Sequence, residues 1–414
     1  MGNALISRRG GGYATVEFEN YGDVQTLEKG TSKTLIQGRG CLAATTVGNY
    51  ALFGGGIYSS SSQTTSSTVD AYNSSLTRIS AADLSAASYL LAATTVGNYA
   101  LFGGGQTYNV SPTTYYADVT AYDSNLSKST PTKMQSGRCN LAATAVGNYA
   151  LFGGGMNTTY SNSYVDAYNK SLTRSTPTAL SKARSYLAAT TVGNYALFGG
   201  GILSPDNVST VDAYNSSLSR STPTELSVAR CEFKATTVGN YALFGGGAAG
   251  LNYYTTVDAY NSNLTRSTPT ALRVARRDLA ATTVGNYALF GGGYYYNSSS
   301  STSTYYSTVD VYDSSLTRST ATDLSAARSK LAATTIGAYA LFGGGQSYVS
   351  ATTYHSNVDV YEIENLVMQA TVYKGSKYKF QNMSAESTVT STVQTINIPT
   401  PATGYIKFKN TTIS

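Results

Sequence analysis

The chain has no tryptophan, one histidine, three cysteines and charged side chains at only 12 % of its 414 positions. Each scarcity removes a class of chemistry. A copper-radical oxidase site needs two His ligands with Tyr and Cys, and the chain offers His355 alone. Cys41, Cys139 and Cys231 are odd in number and lack metal-ligand spacing, so they indicate neither a disulfide framework nor a zinc site, and no cofactor is expected. No segment approaches the roughly 18 apolar residues of a membrane span, so no membrane insertion is expected. The opening MGNALISRRGGGYATVEFEN has two arginines but no apolar run of about 7 to 15 residues behind them, and no ordinary export signal is read there. The net charge of +6 suggests nucleic acid, but most arginines recur at two fixed repeat positions, LTR and AAR, and form no basic stripe. No nucleic-acid partner is expected.

What the chain has in excess is Gly, Ser, Thr and Tyr, which suits short strands and polar loops and makes the class all-β. The stretch NYALFGGG at Asn49–Gly56 recurs, nearly letter for letter, with glycine triplets starting at Gly54, Gly103, Gly153, Gly199, Gly245, Gly291 and Gly343. A pitch of 46 to 52 residues signals a propeller or an array. Each unit reads as four strands: LAATTV (a), YALF (b), TVDAY (c) and LTRSTPTAL (d). Gly-Asn between a and b is a two-residue hairpin signal, and Ala338 replaces that Asn once, which a type II′ turn tolerates. Pro131, Pro177, Pro223 and Pro269 fall in d, which places d at the outer edge and the small residues of a at the axis.

The glycine run after an apolar strand, VDAY or VDVY at Val69–Tyr72 and Val309–Tyr312, and a later arginine such as Arg328 resemble the kelch family of β-propellers over roughly residues 25 to 362. The resemblance implies a seven-bladed propeller of four-stranded antiparallel blades. The kelch pattern also expects Trp seven residues after the Tyr, where Ile79, Ser129, Ser175, Ser221, Ser267 and Ser319 stand here.

Seven a-b-c units exist, yet after Tyr361 the d pattern fails. Leu27, Leu35 and Arg39 repeat the spacing of Leu126, Met134 and Arg138, so residues 24–33 are expected to supply the missing outer strand. The division expected is an N-terminal arm over 1–23, a propeller over 24–362 and a β-rich extension over 363–414. Closure of this kind removes exposed sheet edges.

The copies can be compared with one another. From the valine of strand c to the next glycine triplet is always 34 residues, so all length variation lies in the b-c loops, which hold 12, 13, 9, 9, 9, 15 and 12 residues. A second variable spot is the pair before each strand a, from Gly40-Cys41 and Tyr89-Leu90 to Arg277-Asp278 and Ser329-Lys330. In an antiparallel meander both spots share one face, whereas VGNY and NSSL on the other face hardly change. Mixtures such as YYYNSSSSTSTYY resemble a paratope, with rigid aromatics for contact area and small polar residues for adaptable hydrogen bonds. The ligand-binding residues expected are Tyr58, Tyr108, Tyr115, Tyr116, Tyr294, Tyr295, Tyr296, Tyr305, Tyr306, Tyr348 and Tyr354 on the long loops, with Tyr89, Leu90 and Lys330 as the floor.

Arg138, Arg184, Arg230, Arg276 and Arg328 occupy one register position, as do Asp70, Asp166, Asp212, Asp258, Asp310 and Asp359. Both sets read as structural braces, not as a sialidase-like cluster. Glu232 and Asp278 are the one carboxylate pair placed on the variable face. No catalytic residue is expected. The function expected is non-catalytic recognition of a cell-surface glycan or protein. The near-identical copies and β-rich ends look like a phage tail or virion receptor-binding protein, extracellular or in the virion, whose termini meet other virion proteins. The alternatives are a cytoplasmic kelch-type interaction scaffold and a glycan-processing enzyme.

Overall fold

The computed structural model describes residues 25–59, 64–108, 112–158 and 160–365, and the backbone of strands within 5–18 and 367–409. The protein is a seven-bladed β-propeller whose blades are four-stranded antiparallel meanders. Blade 1 runs from Ala43–Val47 (a) through Tyr50–Gly54 (b) and Val69–Asn73 (c) to Arg78–Ser80 (d). Every a-b turn places Gly at positive φ in its first central position, 51° at Gly48 and 54° at Gly337. That geometry suits type II′, and the alanine at 338 fits it as well as the usual asparagine. Strand d is shorter than the sequence pattern suggests. Arg174–Ser175 ends before Pro177, so the prolines lie just beyond the outer strand and not in it.

The seventh blade has Ala332–Ile336, Tyr339–Gly343 and Asn357–Asn365, and its outer edge is Gln25–Lys29 from the start of the chain. Gly30 N–H donates to Val360 at 3.0 Å, Lys33 and Thr34 pair with Val358 and Asn357, and Leu35 is buried. Lys29 Nζ stands 3.1 Å from Asp359, the place that Arg78 takes beside Asp70 in blade 1.

The core lies between blades. Leu52, Val69 and Ala71 of blade 1 pack on Phe102 and Tyr122 of blade 2, and the pattern repeats around the ring to the contact of blade 7 with blade 1. The first glycine of each triplet exists for this packing. A Cβ on Gly54 would sit 2.9 Å from the ring of Phe102, and one on Gly343 would sit 2.6 Å from Phe53, which closes the circle. The second and third glycines, 71° and 107° at Gly55 and Gly56, turn the chain where a side chain would strain it.

Buried ion pairs lock successive blades. Arg184, in the link from blade 3 to blade 4, is fully buried; its Nη2 donates to Asp212 at 2.7 Å and to the Phe198 carbonyl at 3.0 Å, both in blade 4. Its own carbonyl accepts from Gly155 N–H of blade 3. Asp212 also accepts from Ser181 N–H and Oγ, and Arg220 approaches from the edge at 3.5 Å. Arg39, Arg138, Arg230, Arg276 and Arg328 repeat this with Asp70, Asp166, Asp258, Asp310 and Asp359. Blade 2 replaces the whole set at once: Ser88 stands for the buried arginine, Thr120 for the aspartate and Lys128 for the edge arginine. Thr120 is buried and bonds Ser85 through both N–H and Oγ. Removing one ion without the other would leave a buried unpaired charge, so the positions change together.

A second unit holds residues 1–27 and 363–414. Leu5–Arg9, Tyr13–Phe18, Gly404–Lys409, Lys377–Phe380 and Ser387–Thr388 form one sheet in that order, so both ends of the chain contribute to it.

Candidate functional site

The link into each blade carries one non-glycine residue in the left-handed region: Cys41, Leu90, Asn140, Tyr186, Glu232, Asp278 and Lys330, with φ between 53° and 57°. Their backbones bond head to tail. Leu90 N–H donates to Cys41, Asn140 to Leu90, Tyr186 to Asn140, Glu232 to Tyr186, Asp278 to Glu232, Lys330 to Asp278 and Cys41 to Lys330, at 2.8 to 3.1 Å. This closed collar of seven hydrogen bonds surrounds the propeller axis. The left-handed region costs most L-residues with a Cβ roughly 1–2 kcal/mol, and Asn and Asp less, so the five other collar positions are a store of strain.

The seven side chains line a pit of about 390 Å³ at the mouth of the channel. One wall is apolar: Cys41, Ile57 and Tyr89 are buried together, with Leu90, Tyr108 and Tyr354 packed on them. Tyr89 and Tyr108 meet edge to face at 5.2 Å, and Gln106 Nε2 donates to the Tyr89 hydroxyl at 2.5 Å. The opposite wall is charged, with Glu232, Asp278 and Lys330 side by side and Lys234 below them, where the other blades carry alanine. Burial, with the neighbouring Asp278 adding to it, pushes the Glu232 carboxyl up to about 7 against the pull of Arg277. Burial raises the Cys41 thiol to about 11 and the Tyr186 hydroxyl to about 12, so both are neutral donors at physiological pH.

Arg277 joins this pit to a neighbouring groove. Its Nη1 lies 2.7 Å from Glu232 Oε2, its Nε donates to the Tyr294 hydroxyl at 2.8 Å, and its guanidinium lies over the rings of Tyr294 and Tyr253 at 4.9 and 5.5 Å. The groove, about 580 Å³, runs between the b-c segments of blades 5, 6 and 7. Those segments are hairpins: Tyr294–Asn297 pairs with Thr302–Tyr305, and Gln346–Tyr348 with Thr352–Tyr354. Tyr294 and Tyr305 stack across their strands at 5.7 Å. Tyrosines at alternate positions share a face only because these segments are strands, which their Ser and Tyr content alone did not reveal.

Of the residues expected from sequence, Tyr89, Leu90, Tyr108, Lys330 and Tyr354 line the pit, and Tyr294, Tyr296, Tyr305 and Tyr348 line the groove with Lys330. Tyr58, Tyr115, Tyr116, Tyr295 and Tyr306 line neither; Tyr295 packs on Tyr253 of blade 5, with ring centroids 4.8 Å apart. The site also contains Asn140, Tyr186, Lys234, Tyr253 and Arg277, which the length of the loops could not point to. Four of these lie on the short-loop side of the ring or in its links. The variable pair before strand a was the available signal for Asn140, Tyr186 and Arg277, whereas Lys234 was visible as the one departure from alanine at its place in strand a.

The propeller is similar to a solved structure. The structure titled "Structure of YjhT" aligns over 80 % of this chain and 99 % of its own, with a TM-score of 0.53 and 10 % identity. That likeness supports the propeller architecture. No family model and no curated protein matches the sequence. Among the described residues no group of three His, Cys, Asp or Glu side chains comes together in a way that could hold a metal ion.

The raised Glu232 carboxyl has a measurable sign. A carboxyl whose value rises from 4.5 to about 7 on folding contributes stability that is fully present below about pH 4.5 and is lost as pH climbs through about 7. Glu232→Gln is therefore expected to gain stability relative to the parent between about pH 5 and 8, as read by melting temperature across that range. A flat difference would show that Glu232 titrates normally.

Proposed function

We propose that the protein is a non-catalytic binding module that recognises a cell-surface glycan or protein with the face around the pit, as a receptor-binding component of a phage tail or similar virion. The observation that carries this reading is the placement of variation. Both variable regions of the repeat meet on one face around one cavity, while the blades, the a-b turns and the c-d turns repeat almost unchanged. Solvent exposure alone does not account for it, because the constant turns are also exposed. The chemistry of the face supports the reading: tyrosines offer ring faces for sugars or apolar side chains, and Glu232, Asp278, Asn140 and Lys330 offer hydrogen bonds. Kelch kinship rests on the VDAY and glycine-triplet pattern, and the virion setting on the near-identical copies and the β-rich ends.

Binding of purified protein to bacterial cell surfaces and to a glycan array tests the proposal. Tyr108→Ala and Tyr354→Ala are each expected to cost about 2 kcal/mol or more where the ring is a true anchor. Leu203→Ala and Asn207→Ala, on the short hairpin of blade 4, are expected to change little. The reverse pattern would move the site off the long-loop arc.

One observation favours a second reading. A carboxyl held near 7 beside a carboxylate is what a general acid on a glycan requires. Its Oε2, however, is engaged by Arg277 at 2.7 Å. Release of reducing ends from a bound glycan, lost in Glu232→Gln, would establish the enzyme in place of the binding module.

A further inference from the structure

The collar backbone itself requires no side chain, although Cys41 and Leu90 join the hydrophobic cluster that walls the pit. The backbone ring is complete in itself, and glycine would take φ near 55° without strain. The chain uses glycine for positive φ in every a-b turn and twice in every triplet. The other recurrent non-glycine in this region, the leucine of the c-d turn, behaves differently. Leu76, Leu126, Leu172, Leu218, Leu264 and Leu316 are one residue type, and each packs on a core between blades. The collar holds seven residue types at seven equivalent positions: Cys, Leu, Asn, Tyr, Glu, Asp and Lys. A strained position that keeps a side chain, and a different one in every copy, serves what the side chains touch, which is the pit.

Building on the proposed glycan reading, we infer that this collar is the specificity-determining site, and that it takes the compact end residue of a saccharide in place of a stretch along its length. The pit lies on the axis with blades on every side, so a chain cannot pass across its floor, but a terminus can enter. Its volume is at the small end of the range for ligand sites, about 300–1,000 Å³. Its walls differ in kind. Leu90 with Tyr89 and Tyr108 faces a ring or methyl group, Glu232 and Asp278 accept from hydroxyl or amino donors, and Lys330 donates to a carbonyl or carboxylate. A sugar residue with one apolar face and donors on the other matches both walls.

The test uses the full chain and an array of oligosaccharides that share internal units and differ only in the terminal residue. Binding is expected to follow the terminal residue. Asn140→Gly and Asp278→Gly are each expected to weaken binding at least tenfold while the melting temperature stays level or rises. Asp278→Asn, which keeps the shape, is expected to change which terminus is preferred. Binding that follows the internal units, glycine variants that bind as the parent does, or glycine variants that melt at lower temperature would each overturn the inference and leave the binding face intact. Failure of the parent to bind any saccharide would overturn the glycan reading itself, and the inference with it.

Discussion

Replacing Arg184 by Leu is expected to destabilise the propeller by about 3–5 kcal/mol, the usual consequence of removing one partner from a buried ion pair. Asp212 is fully buried, 2.7 Å from the lost guanidinium, and the edge arginine at 3.5 Å only partly replaces it. The same substitution also removes the bond to the Phe198 carbonyl, so blade 4 loosens from the link that precedes it. Blade 2 supplies the control. The triple variant Arg184→Ser, Asp212→Thr, Arg220→Lys copies its Ser88, Thr120 and Lys128, and is expected to lose less stability than the single change. Chemical denaturation measures both. A single variant as stable as the parent, or a triple variant worse than the single, would mean that the pair does not hold the blades in the way the geometry implies.

The second large effect is expected at the ring closure. Leu35 is 3 % exposed and packs with Leu42, Phe53 and Val358, where the start of the propeller meets its last blade. Leu35→Ala is expected to cost about 2–5 kcal/mol. Removal of residues 1–35 should cost more, since it also takes away Lys29 from Asp359 and the strand that covers Asn357–Asn365. Melting temperature and limited proteolysis read the result, with new cleavage expected first in blade 7. An unchanged melting temperature for the truncated chain would show that the seventh blade is held without its outer strand.

Much of this architecture was legible in the residues. The glycine triplets and the Gly-Asn hairpins marked every blade, the spacing of Leu27, Leu35 and Arg39 pointed to the edge of the seventh, and the common register of the arginines and aspartates marked them as braces. The candidate site was less legible. A left-handed φ is easy to anticipate at glycine and hard to anticipate at Leu90, Tyr186 or Lys330, because seven residue types hide one backbone conformation. The b-c hairpins escaped notice because Ser, Thr and Tyr favour loops and edge strands alike. Glu232 and Asp278 were visible as a pair, but their surroundings, Arg277 on one side and Lys330 on the other, depend on contacts between three blades. The joint replacement of Ser88 and Thr120 needed the same knowledge, since the two lie 32 positions apart in the chain.

The first glycine of each triplet meets the same phenylalanine ring at all seven interfaces, from Gly54 against Phe102 to Gly343 against Phe53. Neighbouring blades therefore fit each other regardless of which copy stands where. Because the span from strand c to the next triplet has one fixed length, a stretch of gene copied from one repeat into another keeps both the reading frame and the joint. A collar residue travels within that stretch, and a b-c hairpin travels outside it. Exchange among the copies can thus reassort rim and collar independently, so that new combinations of the two arise without a new sequence having to be found for the blades.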